Sequence, residues 1–180
     1  MKNAFVNYYN KLQQLYEKTF RTRPTVSCTK ELNSDLLIGD QDEDGEIQWA
    51  PVRQTKVLDW DFLARRLGFS LNEEIKEYYT TFFFLILSGS YKECKLNFYC
   101  IDGSKPVEQV IIRAFEDAQY VFPKQAFLLI GNAIVHDDDN FFVFYDNNTG
   151  RLFCYDSETQ KEVVLSYSIA EVIGNMEACI

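Results

Sequence analysis

Residues 141–156 read FFVFYDNNTGRLFCYD, and the reading of this stretch decides the fold. Two runs rich in aromatic and aliphatic residues, Phe141 to Tyr145 and Arg151 to Tyr155, flank Asp146-Asn147-Asn148-Thr149-Gly150. Asp, Asn and Gly accept the backbone angles of a tight turn, so the pattern predicts a β-hairpin. Upstream, residues 126–131 (AFLLIG) are apolar without alternation, which marks a central strand rather than an edge. His136-Asp137-Asp138-Asp139-Asn140 then makes a polar tip before Phe141. Strands that follow one another with short turns pair as antiparallel neighbours.

Further out, residues 95–101 (KLNFYCI) alternate well enough for another strand, and Gly89-Ser90 predicts the turn before it. The run FFFLIL at 82–87 is short enough for a buried strand. Helical spacing appears in four places. Phe5, Tyr8, Leu12, Leu15, Tyr16 and Phe20 give an amphipathic helix over about 3–20, stopped by Arg21-Thr22-Arg23-Pro24. A helix over 57–67 ends at Gly68, and Ser70-Leu71-Asn72-Glu73 predicts a capping box for the next one. Ser104 or a neighbour caps a helix carrying Val107, Val110, Ile111, Ala114, Phe115 and Ala118, broken by Pro123. Ser168-Ile169-Ala170-Glu171 predicts a second capping box, opening a closing helix. Strands cluster and helices do not alternate with them one by one. The expected fold is therefore α+β, predominantly antiparallel with helices on one side, in a single domain spanning 1–180.

The totals narrow the partners. With 18 Lys+Arg against 27 Asp+Glu the formal charge is −9, which excludes a nucleic-acid surface and favours a basic partner. The five cysteines (Cys28, Cys94, Cys100, Cys154, Cys179) are odd in number and form no C-x-x-C pair, and Cys94, Cys100 and Cys154, in or beside strands, suit small buried hydrophobes in a reducing compartment. The first twenty residues are too polar for a signal peptide, and no apolar run approaches ~20 residues. A cytoplasmic protein is expected.

Catalytic chemistry finds little to build on. The one histidine, His136, falls in a polar tip, and no phosphate-binding glycine motif is present. His136-Asp137-Asp138-Asp139 lacks the spacing of a calcium loop. Asp40, Asp42 and Asp44 alternate and Gly45 follows, but Pro51 stands where such a loop needs its bidentate Glu. No catalytic residue, metal or cofactor is expected. What remains is charge. Between Asp35 and Glu46 lie six acids and no base, beside Trp49. Asp40, Asp42, Glu43, Asp44 and Glu46 are candidates for an acidic docking surface, and Glu73, Glu74 and Glu77 for its extension on a helix. The competing reading for both groups is a solvated surface, and for Trp49 a framework residue.

Several segments also carry a family likeness. Ile47-Gln48-Trp49-Ala50-Pro51 resembles an aromatic-x-Pro strand, and Tyr78-Tyr79-Thr80-Thr81-Phe82 a Tyr-Thr-Thr entry into a sheet. Phe127 to Gly131 with the 141–156 hairpin, and Ser166 to Ile173 as a closing helix start, complete it. Over about residues 30–175 the chain resembles the SecY-interacting protein Syd family of the SUKH superfamily; the helix at 3–20 fits in place and amphipathicity only. The resemblance implies a non-enzymatic, acidic binding protein. Its partner would be the basic cytosolic loops of the SecY translocon, met peripherally at the cytoplasmic face of the membrane. Other superfamily members are immunity proteins that neutralise cognate toxins, often nucleases. The resemblance fixes no individual contact residue.

Overall fold

The computed structural model describes residues 1–27 and 32–180. The chain opens with α1 (Lys2–Phe20), β1 (Thr25–Ser27), β2 (Leu37–Ile38), β3 (Glu46–Trp49) and β4 (Val52–Arg53). Next come α2 (Trp60–Leu67), α3 (Glu73–Thr81), β5 (Phe82–Phe83), β6 (Ser88–Tyr91) and β7 (Cys94–Phe98). The second half holds α4 (Val107–Gln119), β8 (Phe127–Val135), β9 (Asp138–Asp146), β10 (Leu152–Asp156), β11 (Lys161–Ser166), α5 (Ile169–Asn175) and β12 (Glu177–Ala178). The architecture is α+β. Seven strands form an antiparallel sheet in the order β11-β10-β9-β8-β7-β6-β12, with β8 at its centre.

The 141–156 hairpin is in place, with Phe144 opposite Phe153 and Phe142 opposite Tyr155. Odd residues of β9 and even residues of β10 face one side, so Val143, Tyr145, Leu152 and Cys154 enter the main core. The helices cover that side. From α1 come Phe5, Tyr8, Leu12 and Tyr16, from α3 Ile75 and Tyr78, and from α5 Val172 and Ile173. Phe144 and Phe153 face the other way, into a small cluster with Ala118 and Phe127 that Phe122 covers at 5.0–5.9 Å. The sheet curls enough for Lys92, in the turn after β6, to donate to the Leu165 carbonyl of β11.

Local expectations give way where a distant partner intervenes. The cap of α3 is Asn72, whose side chain accepts from the Ile75 N–H at 3.1 Å, and not Ser70. Asn147 of the hairpin turn takes the Asn72 N–H and donates to the Ser70 carbonyl, which holds Ser70 outside the helix. The run 82–87 is no single strand: Phe82-Phe83 pair with β4, Phe84 bridges to Ile101, and β6 starts at Ser88. Gly89-Ser90 lie inside β6 and the turn falls at Lys92, which has φ 53°. Glycine serves there because β12 crosses it, so a Cβ at 89 would lie 2.2 Å from the Glu177 carbonyl oxygen.

Four smaller differences have similar causes. Helix α2 starts only at Trp60, because Asp59 caps it by accepting from the Phe62 N–H. Pro106, not Ser104, precedes α4, and the Ser104 hydroxyl donates to Asp102 instead. Ser168 does cap α5, while the Glu171 carboxylate turns to the Ser166 and Tyr91 hydroxyls. Phe20 is exposed, since α1 ends beyond its packed face.

Candidate binding site

The acidic stretch forms the turn between β2 and β3. Asp42 organises it: one carboxylate oxygen accepts from the Asp44 and Glu46 N–H groups at 3.0 and 2.8 Å. Its own N–H donates to the Glu46 carbonyl, and Gly45 turns at φ 84°. This is the local side-chain-to-backbone bonding for which Asp is favoured in turns. Glu46 lies on β3 and accepts from the Ser27 hydroxyl. Asp40, Glu43 and Asp44 are exposed, with no ion-pair partner among the described residues. Trp49 is only 1% exposed, packed edge-on against Tyr9 at 5.5 Å, and its carbonyl accepts from the Tyr9 hydroxyl. Its strand is the middle one of β1-β3-β2 and not an edge, for Pro51 falls just beyond it.

The α3 acids are occupied. Glu73 pairs with Lys76 at 2.7 Å, and Glu77 lies 3.3 Å from the Met1 amine. Glu74 accepts from the Ser168 hydroxyl and the Ala170 N–H, so it caps α5 from across the fold. Glu77 therefore sits at the start of α1. The acidic turn sits by Tyr16, whose hydroxyl is pushed up first by burial and then by Glu46. Fifteen residues of helix, about 22 Å, separate Met1 from Tyr16. The two acidic groups do not merge into one patch.

A feature that sequence reasoning missed is a cleft of about 750 Å³ between α4, the end of α3 and the Tyr99–Asp102 segment. Tyr78 and Tyr79 line it at 1% and 2% exposure. Burial pushes both phenols above their ordinary pKa, and burial followed by Asp102 does the same to the Cys100 thiol. At the mouth, Arg66 pairs with Glu116 and Arg113 with Asp117. The available signal was the Tyr78-Tyr79 pair on an apolar helix face, since a buried tyrosine carries a hydroxyl that seeks a partner.

Other candidates stand apart from any cleft chemistry. His136 occupies a left-handed position in the β8–β9 turn, exposed, 3.3 Å from the Glu93 carboxylate. Cys94 and Cys154 are buried free thiols, Cys100 and Cys179 are exposed, and Cys28 lies outside the described residues. Among the described residues no group of three His, Cys, Asp or Glu side chains is placed to hold a metal ion. None of the described helices is long and apolar enough to cross a membrane.

Fold and surface define the class as an α+β protein with helices on one face of a curled antiparallel sheet and an exposed acidic turn. Residues 2–112 match the family model described as Syd protein (SUKH-2). The chain belongs to this family. The match takes in α1, which the sequence resemblance joined only loosely, and ends within α4. No curated protein matches the chain.

Proposed function

We propose that the chain is a Syd-like, non-enzymatic protein-binding module whose acidic turn docks on a basic segment of its partner. The basic cytosolic loops of the SecY translocon are the partner this reading names. The observation that carries it is the turn itself. Asp42 fixes its backbone, and the carboxylates of Asp40, Glu43 and Asp44 project with no cation of the described chain to neutralise them. Charges left unpaired on a rigid turn attract a cationic segment and speed its encounter. The non-enzymatic half is supported by membership of the Syd family, whose likeness implies a binding protein. The buried phenols of the cleft are held toward their neutral forms, which agrees with it.

The test is binding of the purified protein to membrane vesicles with and without SecY, at low and high salt, for wild type and an Asp40→Lys/Glu43→Lys/Asp44→Lys variant. Asp42 is kept because it builds the turn. Binding that requires SecY, weakens steeply with salt and drops at least about tenfold in the variant is expected. SecY-independent or salt-insensitive binding, or a variant that binds as wild type, would remove the reading. Specific neutralisation of a basic toxin, without SecY binding, would move the protein to the immunity branch.

A further inference from the structure

Four tyrosine hydroxyls bond across the fold. Tyr8 donates to the Ser88 carbonyl, Tyr9 to that of Trp49, Tyr91 to Glu171 and Tyr145 to Asn72. Each of these hydroxyls ties two elements together. Tyr78 and Tyr79 are buried as well, yet neither hydroxyl meets a hydrogen-bond partner among the described residues, and both residues line the 750 Å³ cleft. Phenylalanine would serve the packing equally well at both places: Tyr78 lies against Phe5, Phe84 and Phe98. A phenol hydroxyl that borders a cleft and ties no element of the fold calls for a different account.

We propose that the cleft seats an uncharged apolar side chain of the protein partner, with Tyr78 and Tyr79 donating to the partner's adjoining backbone carbonyl. This inference rests on the reading of the chain as a protein-binding module. Three observations select that occupant. The inner polar groups are the two phenols, kept neutral by burial, so they offer donors and no charge to an ion. The charges lining the cleft cancel, with Arg66, Lys105 and Arg113 against Asp102, Glu116 and Asp117, and two pairs are closed among themselves. A charged group entering would lose its hydration without a counter-ion to replace it. The walls between are apolar, from Ile101, Val110, Ala114, Leu129 and Ile130. The volume falls in the ~300–1,000 Å³ range of sites that enclose an organic group, room for a large side chain and its flanking backbone. The acidic turn would thus read the partner's positive charge, and the cleft an apolar residue.

The test titrates N-acetyl-L-tryptophanamide and N-acetyl-L-lysinamide into the full chain, following the methyl signals of Ile101, Val110 and Ile130 by NMR. Saturable shifts with the tryptophan amide and none with the lysine amide are expected. Tyr78→Phe and Tyr79→Phe should each weaken that binding about two- to tenfold, as loss of one hydrogen bond does, while thermal stability stays level or rises. Val110→Phe, which fills the cleft with an apolar ring, should abolish binding and keep the chain folded. Absent or unselective shifts would overturn the proposal, as would Tyr→Phe variants that lose stability but keep affinity. The SecY-vesicle assay on the same samples separates two failures. No amide binding with salt-sensitive vesicle binding sinks the cleft proposal alone. Amide binding with no protein partner leaves a small-molecule site and overturns the proposal as stated.

Discussion

Asp146 and Asp156 perform the same task at successive turns of the sheet. In each, one carboxylate oxygen accepts from the backbone N–H two residues on, at Asn148 and Glu158, and the other from a threonine hydroxyl three residues on, at Thr149 and Thr159. The fifth residue of each turn then adopts a left-handed conformation: Gly150 at φ 75° and Gln160 at φ 58°. Only the first of these is glycine. Gln160→Gly should therefore relieve the strained turn and raise stability by about 0.5–1 kcal/mol, read as a higher urea midpoint at unchanged slope. The carboxylates also set an acid limit. The Thr159 hydroxyl, with the Glu158 and Thr159 N–H groups, holds Asp156 below its ordinary pKa of 3.8. The Ser166 hydroxyl, then that of Tyr91, does the same for Glu171. A carboxyl whose folded pKa is depressed stabilises the fold fully above its unfolded pKa, and that contribution is lost as pH falls through the folded value. Stability should fall as pH drops from about 5 to 2, and Asp156→Asn should flatten that slope in urea titrations at stepped pH. An equal slope in the variant would remove Asp156 from the account.

At the scale of elements, what could be read from the chain followed from how local the determinants are. The helix beginning at Val107 and the 141–156 hairpin were legible because their stripe, turn residues and pairing lie within a few residues of one another. Ser70 was misread as a cap because its environment is set by Asn147, 77 residues away. Gly89 was misread as a turn because the backbone it accommodates belongs to residue 177. Strands of two residues, such as β4, β5 and β12, are too short to display a period of two at all. Gly89 carries the prediction at this scale. Gly89→Ala drives a Cβ into the Glu177 carbonyl and should detach β12, costing more than about 1 kcal/mol and opening the 174–180 segment to protease. A variant with wild-type stability and an uncut tail would show that β12 can shift without loss.

For the whole molecule, charge was the part of the candidate site open to sequence reading. Composition alone gives the sign of the surface, and the run from Asp40 to Glu46 gives its place. Which carboxylates stay free was hidden, because Glu74 is claimed by Ser168, 94 residues away, and Glu77 by the start of α1. The cleft was hidden for the same reason: its walls come from α2, α3, the segment after β7, α4 and β8. The split between committed and free acids has a measurable side. Glu74→Gln should lower stability by about 1–3 kcal/mol, since a charged acceptor at the start of α5 is weakened, while leaving partner affinity unchanged. The reversed triple at Asp40, Glu43 and Asp44 should leave stability nearly unchanged and lower partner affinity. If Glu74→Gln weakened binding at full stability, the α3 acids would belong to the docking surface after all.

The way α1 is fastened has a bearing on the order of events during synthesis. Lys11 reaches the carbonyls of Gly174 and Met176 and the carboxylate of Glu177, and α1 lies along α5 and β12. The helix is thus completed by residues synthesised 163–166 positions later. Until then its apolar stripe has only part of its covering, from Trp49 and from the segment that includes Tyr78, Phe82, Phe84 and Ser88. A chain cut short after Ser166, which keeps the β9–β10 hairpin and lacks α5 and β12, should have that hairpin formed and α1 still open to a protease pulse. Protection of α1 at that length would mean that its contacts with Trp49 and the 78–88 segment are enough to hold it.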